Sequence, residues 1–355
     1  MRKLRFSESI HEAQMQIMRK DNKVITMGLG VNDPMGIFGT TKDLYKIFGN
    51  KRVIETPTSE NASTGIAIGA AIQGLKLILT HQRVEFSLLS MEQIINQAAK
   101  FYFLSNGKYK ISLVIRVIIG KGWGQGPQHS QSLESLFAHI PGLKVVSPSN
   151  ARDAKGMLIC AINCGHPVIY FEHRWLHNIE GNVPKKLYIT PFGKAKIHNK
   201  GKDITIISYS EALIQVLRLR EIILKSKISA EIIDLRSLRP LDKKTILKSV
   251  KKTKRVLFVD NGWKTYGIGA EISSMISEKM GSILKSNPVR IGIKEIPIPS
   301  SRSIAKEIYL NPLKILKSIS KITKKKIDKK QLKIFMSKIK NIPLDIPYKD
   351  FKGPF

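Results

Sequence analysis

Cysteine is almost missing from this chain of 355 residues: there are two, Cys160 and Cys164. Four apart on a stretch that reads as one helix, they share a helix face rather than frame a secreted disulfide scaffold, and they read as buried thiols. Acidic residues are scarce too, with 27 Asp and Glu against 60 Lys and Arg and a formal net charge of +33. Such an excess raises the question of nucleic acid, because clustered cations release counterions from phosphates. Here lysine and isoleucine are abundant along the whole chain, so no nucleic-acid partner is expected. No apolar run approaches the roughly 20 residues that cross a bilayer. The stretch MRKLRFSESIHEAQ lacks a hydrophobic signal segment, and the expectation is a cytoplasmic protein with no membrane partner.

Three widespread catalytic motifs are also absent: the phosphate loop GxxxxGK[ST], the nucleophile elbow GxSxG and the metal helix HExxH. The glycines of GKGWGQG, at 120, 122, 124 and 126, lack the strand-to-helix spacing of a dinucleotide fingerprint and read as shaping a flexible loop beside a site. Those of WKTYGIGAEI precede a helix and read as close strand-to-helix packing before an anion site.

What is present is the text of a folded protein, 42% apolar and long enough for two domains. An amphipathic helix from Ser7 to Arg19 leads into the strand VITMGLG and the loop GVNDPMGIFGTT. RVIETPTSENASTGIAIGAAIQGLKLILT reads as strand, loop, small-residue helix and strand; MEQIINQAAKFYFLS as a helix; YKISLVIRVIIG as a buried strand. GLKVVSPSN is a strand whose Ser149 or Asn150 caps the helix ARDAKGMLICAIN, and HPVIYFEHR is another strand. This alternation predicts an α/β fold, a parallel sheet covered on both faces. Periodicity fades between His177 and Lys202. Beyond it DITIISYS, a helix from Glu211 to Lys225, SAEIIDLRSLRP, a helix from Lys243, RVLFVDNGW and YGIGAEISSMISEKMG predict a second, smaller parallel sheet. The expected domains are 1–180 and 203–320, joined by a linker at 181–202 and followed by a basic C-terminal extension at 321–355. From Lys314 to Lys340 that end carries eleven lysines against one Asp and reads as a solvated amphipathic helix. The Pro-rich NIPLDIPYKDFKGPF reads as lying along a surface.

Packing explains two segments poorly. In TPTSENASTG, Glu60 stands at the start of an apolar helix, where its charge suits the helix dipole; spacing alone leaves a capping and a chemical role equally open. In GPQHSQS, His129 has Gln128, Ser130, Gln131 and Ser132 around it, all able to hydrogen-bond a ring nitrogen or a substrate, although a lone loop histidine is more often ordinary surface.

Seven segments, in order, carry a resemblance: IETPTSENASTGIAIGAAIQGL, INQAAKFYFLSNGKYKISLVIR, GPQHSQSLESLFAHIPGLKVVSP, DAKGMLICAI, PVIYFEH, DLRSLRPLD and NGWKTYGIGAEI. Together they resemble the beta subunit of the thiamine-diphosphate-dependent 2-oxo acid dehydrogenase decarboxylating component, of the pyruvate dehydrogenase type, in the transketolase-like superfamily. The resemblance implies a parallel-sheet pyrimidine-binding domain followed by a transketolase C-terminal α/β domain. In that family the diphosphate and its magnesium are held by a partner domain with a GDG motif and a downstream NN. This chain has no GDG, which implies a separate alpha subunit, an alpha2beta2 assembly and a cofactor shared across the interface. The glutamate of the family's TPxSE motif, Glu60 here, would hydrogen-bond the aminopyrimidine and favour the imino tautomer that takes the thiazolium proton. His129, in QHSQS, would donate a proton or orient the acyl unit during transfer to a lipoyl group on an acyltransferase. Phe86 matches an aromatic that packs on the aminopyrimidine, and Gln82 stands one turn before it. A structural potassium ion, where family members bind one, would use the main-chain carbonyls of Leu113, Ala161, Ile162, Cys164 and His166, although CAINCGHP departs from the acidic, Asn-rich text usual there.

Other departures bear on the substrate. GLGVN puts Leu29 and Gly30 where an acidic pair is common, and THQRVEF brings His81 and Arg83 toward the pyrimidine site. The glycine loop adds Lys121 and Trp123 beside His129. Cations at the entrance suit an anionic or larger polyhydroxylated substrate; the same residues would equally suit a subunit interface. They leave open a split transketolase-like or acyloin-forming enzyme, with an aldehyde or sugar as acyl acceptor in place of a lipoyl domain.

Overall fold

The computed structural model describes residues 2–122, 124–305, 307–342 and 346. Trp123 and most of the Pro-rich end lie outside the described residues.

Unbroken aliphatic runs such as LVIRVII (Leu113–Ile119) and VIYFEH (Val168–His173) are the text of strands covered on both faces, and every residue of both is buried. They lie at the centre of a seven-stranded sheet ordered Ser237–Arg239, Lys144–Val146, Val168–His173, Leu113–Ile119, Lys76–His81, Val24–Gly28 and Val53–Glu55. Every pairing is parallel except the one made by Ser237–Arg239. The period of two along Leu113–Ile119 divides the core. Leu113, Ile115, Val117 and Ile119 pack with Ala67, Ile68 and Ala71 of the helix Glu60–Ile72. Val114 and Ile118 pack on the other side with the helices Phe6–Lys20 and Ala151–Asn163. The second of these starts where expected, with the Asn150 side chain accepting from the Asp153 amide at 2.9 Å.

A five-stranded sheet follows, ordered Val289–Ile293, Val256–Trp263, Ile204–Ser208, Ala230–Asp234 and Lys196–Asn199, with only the last strand antiparallel. Several expectations change here. SAEIIDLRSLRP is two strands: after Ala230–Asp234 the chain turns, with Arg236 at φ +57°, and Ser237–Arg239 joins the edge of the first sheet. The stretch between His177 and Lys202 contains Glu180–Val183, antiparallel to Arg2–Arg5, and the edge strand Lys196–Asn199; four residues are too few to show a period. The helix from Glu211 breaks at Leu219 into Ser210–Arg218 and Arg220–Lys225. The lysine-rich end is two helices. Pro312–Thr323 buries Ile315, Leu316, Ile319 and Ile322 against the second sheet, and Lys329–Ile339 follows. Both cysteines are free and only partly buried: Cys160 lies within the helix Ala151–Asn163 and Cys164 just past its end. Among the described residues no helix is long and apolar enough to cross a membrane.

Candidate functional site

A parallel sheet opens a crevice at the carboxyl ends of its strands, where ligands of such folds bind. Three candidate residues arise there from strands close together in the sheet. Glu60 follows Val53–Glu55 as the first residue of its helix; Phe86 follows Lys76–His81 in the 3-10 turn Val84–Ser90; His129 follows Leu113–Ile119 at the end of the glycine loop.

His129 and Phe86 meet edge to face, with ring centroids 5.7 Å apart and planes at 70°. The histidine Nδ1 is buried and has no hydrogen-bond partner, and the neighbouring Ser130 Oγ is likewise unpartnered. The loop is fastened to the aromatic turn by the Gln131 amide, which donates to Glu85 Oε1 at 2.9 Å. Burial pushes the Glu85 carboxyl up. Glu60 is half-buried, and among the described residues its carboxylate makes no hydrogen bond or ion pair. Its helix start is held instead by Asn61, whose Oδ1 accepts from Gln93 Nε2 at 3.0 Å.

Gln82 serves the loop before it. Its Nε2 donates to the Leu29 carbonyl at 3.0 Å. That loop turns over the strand ends because Gly28, at φ +149°, presses against the Thr80 carbonyl, where an added Cβ would stand 2.6 Å from the oxygen. Glu55 then accepts from the amides of Gly30 at 2.6 Å and Asn32 at 3.3 Å. The acid missing from GLGVN thus reaches the loop from the neighbouring strand.

Deeper in the same region Arg116 is fully buried and fully engaged. Its Nη2 donates to Glu172 Oε2 at 2.9 Å and Thr40 Oγ1 at 2.8 Å, and its Nη1 to Thr80 Oγ1 at 3.3 Å and Gln14 Oε1 at 3.4 Å. Burial alone would raise the Glu172 carboxyl, but the Arg116 guanidinium beside it outweighs this and holds it below the usual range.

Lys121 does not stand at an entrance: it is buried, 3.2 Å from Glu211 Oε2, with its ammonium over the rings of Trp175 at 4.7 Å and Tyr309 at 5.3 Å. His81 and Arg83 do lie at the strand ends, both buried; burial pushes the His81 ring down to about 4.

Sequence reading missed Glu134, Tyr209 and Asp260. Tyr209 donates to Asp260 Oδ1 at 2.6 Å inside the second sheet, while Gly262 packs on the Ser132 carbonyl of the histidine loop. Burial, with the Asp260 charge adding to it, pushes the Glu134 carboxyl up to about 8. The acid in QHSQSLESL was the available signal.

Among the five proposed potassium carbonyls, Ala161 accepts the Cys164 amide at 3.3 Å and His166 accepts Cys164 Sγ at 3.6 Å. The register Val114 to Val168 brings Leu113 toward the same turn. Among the described residues no group of 3 or more His, Cys, Asp or Glu could hold a metal ion.

The two α/β layers, with open polar groups at the strand ends of the first, define a chain of the transketolase class. Residues 2–178 match the family described as "Transketolase, pyrimidine binding domain" and residues 193–315 that described as "Transketolase, C-terminal domain". The sequence is 39% identical over 322 residues to the pyruvate dehydrogenase E1 component subunit beta of Porphyra purpurea, covering 91% of this chain and 97% of the relative. It is 40% identical over 319 residues to the acetoin:2,6-dichlorophenolindophenol oxidoreductase subunit beta of Cupriavidus necator, covering 87% of this chain and 94% of the relative. A solved structure titled "Split gene transketolase, inactive beta4 tetramer" superposes with a TM-score of 0.74 at 17% identity, covering 89% of this chain and 97% of its own. The chain belongs to the family of beta subunits of thiamine-diphosphate-dependent 2-oxo acid dehydrogenases. Membership implies an oxidoreductase function, thiamine diphosphate as cofactor and an alpha partner.

Proposed function

We propose that this chain is the beta half of an alpha2beta2 enzyme that decarboxylates a pyruvate-like 2-oxo acid and passes the acyl unit to a lipoyl group on an acyltransferase. The carrying observation is the set of open polar groups at the strand ends. Glu60 has a carboxylate with no partner, His129 has a buried Nδ1 with none, and Phe86 holds a ring edge-on to that histidine. A flat heteroaromatic ligand with ring nitrogens fits such a set, and the chain offers no GDG segment for a diphosphate. Thiamine diphosphate, when bound, supplies the electron sink that accepts the pair released on decarboxylation. Glu60 would hold a proton on the aminopyrimidine in a poorly hydrated site, where a charge-assisted hydrogen bond is stronger than in water. Phe86 would pack against that ring. His129, oriented by Phe86 and the Gln131–Glu85 bond, would deliver or accept a proton as the acyl unit leaves. Gln82 would act on the cofactor only indirectly, by fixing the loop at Leu29.

Magnesium would be held mainly by the alpha subunit. Potassium, if used, would sit in the turn of Ala161, Ile162, Cys164 and His166 beside Leu113. A cytoplasmic location and domains at 1–180 and 203–320 complete the reading.

A second reading keeps the cofactor and exchanges the lipoyl group for an aldehyde or sugar acceptor. It is favoured by the 40% identity to a subunit named for acetoin. The beta4 form of the split-gene transketolase is titled inactive, which agrees with a beta chain that needs its partner. The test is co-purification with the alpha subunit followed by turnover with a lipoylated domain and with aldehydes. Lipoyl acylation supports the first reading, carbon–carbon bond formation the second, and turnover by this chain alone contradicts both.

A further inference from the structure

Arg83 is a buried cation with nothing to hold. Its residue is 8% exposed, its Nη1 is buried without a partner, and its guanidinium makes no hydrogen bond or ion pair among the described residues. Two residues earlier, at the end of the strand Lys76–His81, the His81 Nε2 is also buried and unpartnered. Arg83 is extended, at φ −140° and ψ 147°, and its Nη1 lies over the end of the next strand: a Cβ added at Gly120 would stand 3.6 Å from it and 3.2 Å from Arg174 Cβ. Arg174 follows Val168–His173 and lays its own guanidinium on the Phe38 ring, 4.8 Å from the centroid. Two arginines thus flank the bare backbone of Gly120, on the strand-end side that carries His129 and Phe86. Glu85, whose charge acts on Arg83, is engaged by the Gln131 amide.

Leaving an ionised group buried and unpaired is strongly unfavourable, so such a group marks a place where an opposite charge arrives from outside. A planar guanidinium fork matches the two oxygens of a carboxylate or phosphate. We propose that Arg83, with His81 two residues before it at the same strand end, is a specificity-determining site for an oxyanion on the substrate: the carboxylate of the 2-oxo acid, or the phosphate of a phosphorylated acceptor. This rests on the thiamine-dependent reading for the word substrate, but not for the existence of the anion site.

The full chain is melted in increasing sodium phosphate and in chloride of matched ionic strength, as wild type, Arg83→Leu and Arg83→Lys. The chloride series separates site binding from general screening of a +33 chain. We expect Arg83→Leu to melt higher than wild type in chloride, since it removes an unpaired buried charge, and to lose the phosphate-specific rise; Arg83→Lys should keep part of it. In the complex with the alpha subunit, Arg83→Leu should raise the KM of the anion-bearing substrate about ten- to hundredfold, with kcat little changed. The KM that moves tells whether the 2-oxo acid or the acceptor carries the anion. Two results overturn the site: Arg83→Leu melting below wild type with the phosphate response intact, or a phosphate response that vanishes on alpha binding with both KM values unmoved, which assigns Arg83 to a partner carboxylate. An inactive complex with an intact phosphate response refutes the dehydrogenase reading and leaves the anion site standing.

Discussion

Arg116 and Arg83 both lie in the first domain and are both more than nine-tenths buried, yet they differ in every other respect. Arg116 is in mid-strand and donates to Glu172, Thr40, Thr80 and Gln14. Arg83 is at a strand end and donates to nothing among the described residues. The same contrast separates their surroundings. Around Arg116 the chain supplies its own acceptors and pins the loop that ends at Thr40 and Thr41. At the same set of strand ends as Arg83 the open groups accumulate: His81 Nε2, His129 Nδ1, Ser130 Oγ and the Glu60 carboxylate. A buried polar group left open calls for an explanation, and at these strand ends a ligand or partner subunit would supply one. Under the proposed reading the first region is scaffold and the second is half of a site.

Substitutions can break or sharpen that contrast. The largest effect is expected at Glu60: Glu60→Gln in the assembled complex should lower turnover by about 10²–10⁴-fold and leave the thermal midpoint of the chain unchanged, as read by decarboxylation assay and circular dichroism. Arg116→Met should do the reverse. It strands Glu172 in the core and should destabilise the chain by about 3–5 kcal/mol in denaturant unfolding, the opposite sign from Arg83→Leu.

Glu134 gives a pH test. Its carboxyl is raised from 4.5 to about 8, so the native state keeps a proton that the unfolded chain has released. Its contribution is fully present below about pH 4.5 and is lost as pH rises through about 8. Unfolding of wild type and Glu134→Gln across that window should show the variant gaining on the wild type as pH rises; parallel curves would remove Glu134 as a protonated anchor of the histidine loop. The smallest effect is expected at Gln82, where Gln82→Ala loses one partly exposed bond to Leu29 and should change stability by about 0.5–1.5 kcal/mol in the same unfolding measurement.

Much of the architecture was legible in the chain. The runs LVIRVII and VIYFEH are apolar at nearly every position because both faces are covered, and SPSNARD announces its helix through the Asn150 cap. What stayed hidden depends on distant pairing. Ser237–Arg239 leaves its sheet neighbours for the edge of the other sheet, which three residues cannot announce. Motifs singled out Glu60, Phe86 and His129, which the structure places at neighbouring strand ends, but Lys121 was misread because Glu211, which neutralises it, is 90 positions away. Glu134 was passed over because nothing local shows that it is buried and feels the charge of Asp260, 126 positions away. Arg83 stood out as a departure in THQRVEF, yet only the structure shows that its Nη1 is buried without a hydrogen-bond partner among the described residues.

The most direct test of the half-site account is calorimetric titration of thiamine diphosphate, with magnesium, into this chain alone and into its complex with the alpha subunit. The account predicts no measurable binding to the chain alone, saturable binding to the complex, and weaker binding when the complex carries Glu60→Gln. Equal binding by the isolated chain and the complex, unaffected by Glu60→Gln, would contradict it.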